Sequence, residues 1–162
     1  MGVVLAAGCV TGSSNSATQS SPVTEIARDS RFAAYSDGTV LDNDTGLMWA
    51  STDNGGPIVW DDAKSYCRNY KGGGFRDWRM PTLNELTALY DPSINNTTPP
   101  AEGCNGGCHL TNFIHLHCCP VWYWNGIDEV AGFFHFKLGP KDWRDQSLQK
   151  NHPRALPVRN AR

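Results

Sequence analysis

Charge is scarce in this sequence: Lys, Arg, Asp and Glu make up 19% of its 162 residues, against about 25% in an average soluble domain. Long apolar runs are scarcer still. No stretch approaches the ~18 apolar residues of a membrane-spanning helix, so membrane attachment is expected only through a lipid. A net charge of −2 and the lack of any nucleic-acid-binding motif exclude nucleic acid as an expected partner. No carboxylate stands in a recognisable signature with a histidine or a nucleophile, so no catalytic residue is assigned and no cofactor is expected. What the chain does have is 16 Gly, 10 Pro and 6 Trp, the mark of a loop-rich fold with aromatic anchors rather than a helical bundle. Its length suits one domain able to bury its own core.

Residues 1–9, "MGVVLAAGC", place small residues immediately before Cys9. They resemble a truncated bacterial lipoprotein signal, in which Cys9 would be acylated. The following "TGSSNSATQSSP" has too little apolar area to offset its chain entropy, so residues 10–30 are expected to be a flexible polar linker and 31–162 the folded domain.

Within the folded part, "RFAAYSDGTVLDNDTGLMWAS" breaks apolar runs with Ser36-Asp37-Gly38 and with the acidic turn 42–46, predicting three strands joined by hairpins. The acidic turn lacks the later glutamate of a calcium loop, so a hairpin turn is the expectation there. Trp60, Ala63 and Cys67 recur at helical spacing with Asp61 and Asp62 in the first turn, predicting a short amphipathic helix that turns Cys67 inward. Thr82 and Glu85 fit a capping box for a second helix whose buried stripe is Leu83, Leu86, Leu89 and Tyr90. Pro81 favours an extended chain before it, across Asp77-Trp78-Arg79, and the glycines at 72–74 serve a turn between the two helices.

The ordered set "DGTVLDNDTGLMWA", "WDDAKSYC", "DWRMPTLNEL", Tyr123-Trp124, the Phe134-to-Gly139 "FHFKLG" and "RALPVR" resembles the Lcl C-terminal domain family from about Arg31 to Arg159. The resemblance implies a secreted or surface-attached bacterial domain of α+β class. Its fold would be C-type-lectin-like and distantly similar to formylglycine-generating enzyme, with two short helices packed on small twisted antiparallel sheets and long loops. It also implies that Trp78 and Arg79 pin the second helix to the sheet. The namesake of the family is part of a collagen-like adhesin associated with sulphated glycosaminoglycans, although fold alone does not carry function. No motif here maps onto the copper-binding cysteine pair of formylglycine-generating enzyme.

The least family-like segment, "CNGGCHLTNFIHLHCCP", holds four cysteines and three histidines in residues 104–120. Thiolate and imidazole together suit zinc or copper, with Cys104, Cys108, His109, His115 and His117 as candidate ligands, yet the spacing fits no standard finger. In an exported chain the competing expectation is disulfides drawn from Cys67, Cys104, Cys108, Cys118 and Cys119. Adjacent Cys118 and Cys119 are each expected to take a separate partner. Connectivity stays open, and one thiol is left over.

Charge is uneven along the chain. Residues 137–162 carry seven Lys or Arg against two Asp, a balance of 7 − 2 = +5, so the preceding part is −7. Such a patch can hold sulphated or carboxylated polymers, and Trp143, in a polar loop beside Lys141 and Arg144, could stack on a sugar ring. Lys141, Trp143, Arg144, Lys150 and Arg154 are the expected ligand-binding residues. The function expected is a cell-envelope binding or adhesion module, its partner a polysaccharide or a surface protein; the alternative is an envelope metal-binding or redox protein built on the 104–119 loop.

Overall fold

Two glycine turns cut the first third of the domain into short antiparallel strands. The computed structural model describes residues 21–126, 131–143 and 153–162, with the backbone alone for 141–143. In chain order the strands are β1 (Glu25–Arg28), β2 (Phe32–Tyr35), β3 (Thr39–Asp42), β4 (Leu47–Ala50), β5 (Pro120–Tyr123), β6 (Gly132–His135), β7 (Gly139–Trp143) and β8 (Val158–Asn160). Two helices, α1 (Trp60–Asn69) and α2 (Leu83–Leu89), stand between β4 and β5. The strands form one five-stranded sheet, ordered β1-β2-β3-β4-β8, and one three-stranded sheet, β5-β6-β7, with every neighbouring pair antiparallel. Two short helices on small antiparallel sheets make an α+β fold, as expected.

The turns form for local reasons. Gly38 and Gly46 sit at φ +79° and +68°, a region open to glycine at no steric cost. In the first turn the Asp37 carboxylate accepts from the Thr39 N–H at 3.1 Å and from its hydroxyl at 2.7 Å. In the second, Arg31 donates to both oxygens of Asp42 at 2.9 and 2.6 Å. Asp42 is 1% exposed; burial opposes its ionisation, but the Arg31 guanidinium and the turn donors outweigh it and hold the carboxyl below its usual range. This turn is a hairpin clamp.

The folded part starts earlier than residue 31, because β1 lies inside the stretch assigned to the linker. Its residues are mostly exposed, and it holds to β2 by main-chain pairing such as Ala27↔Ala34 and Arg28↔Ala33. An edge strand of this kind needs no apolar alternation, so nothing in its side chains announced it.

The helices are as legible as the turns. Trp60, Ala63 and Cys67 are buried on one side of α1. At α2 the Thr82 hydroxyl accepts from the Glu85 N–H at 3.3 Å, and Glu85 accepts in return from the Thr82 N–H at 2.8 Å. Glu85 also receives both terminal nitrogens of Arg79, at 2.8 and 2.6 Å. Thr82→Ala removes one half of the box and is expected to cost about 1 kcal/mol; urea denaturation that leaves the midpoint unchanged would show that Glu85 and Arg79 alone hold the helix start.

Between the helices the chain makes a 3-10 turn at Gly72–Gly74. Gly73 has φ +62°, and a Cβ there would lie 2.8 Å from Thr39 Cγ2. Trp78 then buries to 3% exposure and donates its indole N–H to the Gly72 carbonyl at 3.0 Å. Arg79 pairs its backbone with Val158 of β8, N–H to O at 2.9 and 3.0 Å in the two directions. Thus Arg79 joins the start of α2 to the large sheet, while Trp78 fills the space beneath.

Strands β5 and β6 of the small sheet are buried on both faces. Val121, Tyr123, Phe134 and Phe136 join Trp49, Leu86, Leu89, Leu110, Ile114 and Leu156 in one core, whereas Trp122 and Phe133 join Trp60, Cys67 and Met80 in another. Alternation along β5 and β6 therefore divides two cores rather than core from solvent, a pattern usual for sheets covered on both sides.

Candidate functional site

The segment from 91 to 119 has no helix or strand of its own, so its backbone polar groups need other partners. Buried Asn96 supplies several: its amide donates to the carbonyls of Thr111 and Ile114 at 2.7 and 2.9 Å, and its N–H donates to Cys108 O at 2.9 Å. Two disulfides, Cys104–Cys118 and Cys108–Cys119, staple the loop across itself. The vicinal cysteines thus take separate partners. Cys67, a disulfide candidate from sequence, is not bonded: it lies on α1 in the second core, fully buried, and burial pushes its thiol up to about 12. Such a thiol is inert at ordinary pH.

Disulfide bonding takes both sulfurs from the five-residue metal set. His109 is also drawn elsewhere, its Nδ1 bonded to the Ile94 carbonyl at 2.7 Å and its ring edge-on to Tyr90. His115 and His117 remain, and both line an open cleft of about 830 Å³ between the β1–β2 side of the large sheet and the stapled loop. Tyr35, Ser51, Thr98 and Phe113 contribute to its walls.

One wall of this cleft rests on Asp53. Its side chain is fully buried, and its Oδ1 accepts from His117 Nδ1 at 2.7 Å. The same oxygen accepts from the Gly55 N–H at 2.7 Å, and Oδ2 accepts from the His117 N–H at 2.7 Å. An ionised carboxylate only accepts, so His117 donates from Nδ1, and in the neutral ring the lone pair is then on Nε2. Neighbouring Asn54 fixes the other side, accepting from the Ala155 N–H at 2.8 Å and donating to Gly56 O at 2.7 Å. The wall is rigid by hydrogen bonding rather than by regular structure. Sequence reasoning missed Asp53, which stands 64 residues from its histidine in a stretch with no motif.

Of the expected ligand-binding residues, Arg154 is placed inside the protein. It is 2% exposed, forms a parallel bridge with Val121, and exchanges backbone bonds with Pro120 and Trp122 at 2.9 Å each. Its Nη2 lies 3.8 Å from Cys104 Sγ, and burial pulls its guanidinium below the ordinary value. It serves the small sheet and the disulfide loop, so it leaves the list of surface contacts. Lys141 and Trp143 belong to β7, where Trp143 registers with Phe133. Arg144, Lys150 and Cys9 lie outside the described residues.

A hairpin meander, a capped second helix tied by "DWRMPTLNE" to the last strand, and a stapled loop are now in place as a set. The profile of the Lcl C-terminal domain matches residues 38–156. The chain belongs to this family. No curated protein and no solved structure matches it. In this Lcl C-terminal domain β1, β2 and β8 lie outside the matched span yet belong to the five-stranded sheet, and the cleft draws on β1 and β2 for part of its lining.

Proposed function

We propose that this Lcl C-terminal domain is a bacterial cell-envelope binding or adhesion module that recognises carbohydrate. The observation that supports the reading is the cleft. Its described lining brings two aromatic rings, Tyr35 and Phe113, together with hydroxyl and amide groups, and includes no Lys, Arg, Asp or Glu. A sugar ring is apolar on its C–H faces and polar at its rim, and aromatic faces beside fixed polar groups answer to both. Because Asp53, Asn54 and Asn96 lock the surrounding backbone, little ordering remains to oppose binding. A C-type-lectin-like reading of the fold agrees with this, since long loops on a small sheet would carry the ligand.

The basic C-terminal stretch extends the reading to sulphated polysaccharide. Arg154 and Arg159 are buried, the latter donating to Asp77 at 2.7 and 3.1 Å. Removing them from the seven leaves 5 − 2 = +3 for residues 137–162, still enough to attract a polyanion over a Debye length of about 10 Å at 0.1 M salt. Acylated at Cys9, the module would be held at the envelope on a polar tether.

A glycan array on the full chain tests this. Saccharide binding is expected, with Phe113→Ala weakening a neutral ligand by about 1 kcal/mol, roughly fivefold. Joint reversal of Lys141, Arg144 and Lys150 to glutamate is expected to abolish heparin binding at low salt. A folded chain that retains no saccharide of either kind would remove the proposal.

A further inference from the structure

We propose that His115 and His117 form a binding site for a divalent transition-metal ion of the zinc, copper or nickel class. Thr52 and His115 form a parallel bridge, in which His115 N–H donates to Ser51 O at 2.8 Å and Asp53 N–H donates to His115 O at 3.2 Å. In extended chain, alternate side chains share a face. Leu116 accordingly points into the core at 2% exposure, while the two histidines both open onto the cleft. Their backbones are about 6.6 Å apart at the usual rise per residue, a gap that two imidazoles can close on one ion at about 2.0–2.1 Å per nitrogen.

The second observation is what holds His117. With Nδ1 held on Asp53, the neutral ring has its lone pair on Nε2, and the ring lines the cleft. The place of the carboxylate in the fold is already explained by its bonds to the N–H groups of Gly55 and of His117. Neither bond requires an imidazole, since any residue but proline at 117 would supply the same N–H. The ring-to-carboxylate bond is what remains, and a carboxylate behind a histidine is the usual support of a metal ligand, setting the tautomer and raising ligand basicity. Neutral imidazoles select zinc, copper or nickel over calcium or magnesium. Among the described residues no three His, Cys, Asp or Glu side chains converge as a group, so two histidines bind and water completes the coordination. This site lies in the same cleft as the proposed saccharide, but the argument for it does not use the carbohydrate reading.

Zn²⁺ and Cu²⁺ titrated calorimetrically into untagged, chelator-stripped full chain, with no saccharide present, test it. One ion per chain is expected, with no heat from Ca²⁺, and nitrogen hyperfine structure in the Cu²⁺ EPR spectrum. His115→Ala and His117→Ala should each weaken binding at least tenfold, and Asp53→Asn by 10–100-fold, whereas His109→Ala should leave it unchanged. His115 is exposed, so its variant keeps the fold and a loss there is read directly; near-UV circular dichroism checks this. Absence of binding, or an affinity unmoved in His115→Ala or in Asp53→Asn, overturns the proposal.

Discussion

Trp78→Ala is expected to lower the unfolding free energy by about 3–5 kcal/mol, the cost of emptying a buried aromatic site. That is a large share of the roughly 5–15 kcal/mol that holds a typical domain together. The effect is large here because one side chain serves several partners. Its ring stands edge-on to Tyr70 at 5.1 Å and to Phe75 at 6.5 Å, and its indole satisfies the Gly72 carbonyl. Its sequence neighbours Asp77 and Arg79 both reach β8, through Arg159 and Val158. Trp78→Phe should recover part of the loss by refilling the space, but not the bond to Gly72. Urea denaturation measures both, and a midpoint within error of the wild type for Trp78→Ala would show that the ring is not part of the fold's support.

Reduction of the two disulfides is expected to produce the second large loss. The bridges close sequence separations of 14 and 11 residues, and a loop of about 15 residues is worth about 3 kcal/mol in denatured-state entropy. The two loops overlap between 108 and 118, so the second bridge constrains a chain already shortened, and the pair should give less than twice the value of one. Cys104→Ser with Cys118→Ser leaves the other bridge at its full single value and should therefore lower the melting temperature by less than half of the fall seen on full reduction. Equal melting temperatures with and without reductant would mean that Asn96 and its carbonyl partners hold the loop unaided.

Sequence and structure agree wherever the deciding physics is local. Gly38 and Gly46 mark turns because a positive φ is needed there, Thr82 and Glu85 cap a helix because they are three residues apart, and Trp60, Ala63 and Cys67 share a face because of the helical period. Adjacent Cys118 and Cys119 were expected to part company on geometry alone, and they do. The failures are all long-range. Arg154 looked like a surface charge because no neighbouring residue says that β5 will cover it. Cys67 looked like a bridge partner because burial does not reveal which core a residue joins. Of the cleft, the histidines were visible as metal candidates, but the Asp53 that sets one of them was not. The alternating His115-Leu116-His117 pattern was the available signal for an extended segment with a two-histidine face.

The last strand has a consequence for when this protein can fold. Arg159 lies beside Met48, 111 residues earlier in the chain, and β8 both completes the large sheet and receives Arg79. Until residues 158–160 leave the ribosome, β4 has an open edge and the start of α2 has nothing to dock on. Contacts so distant in sequence slow folding, since the loop entropy must be spent before the pairing is gained. The hairpins of the N-terminal half can form early, but the finished domain is assembled only once residues 158–160 have emerged.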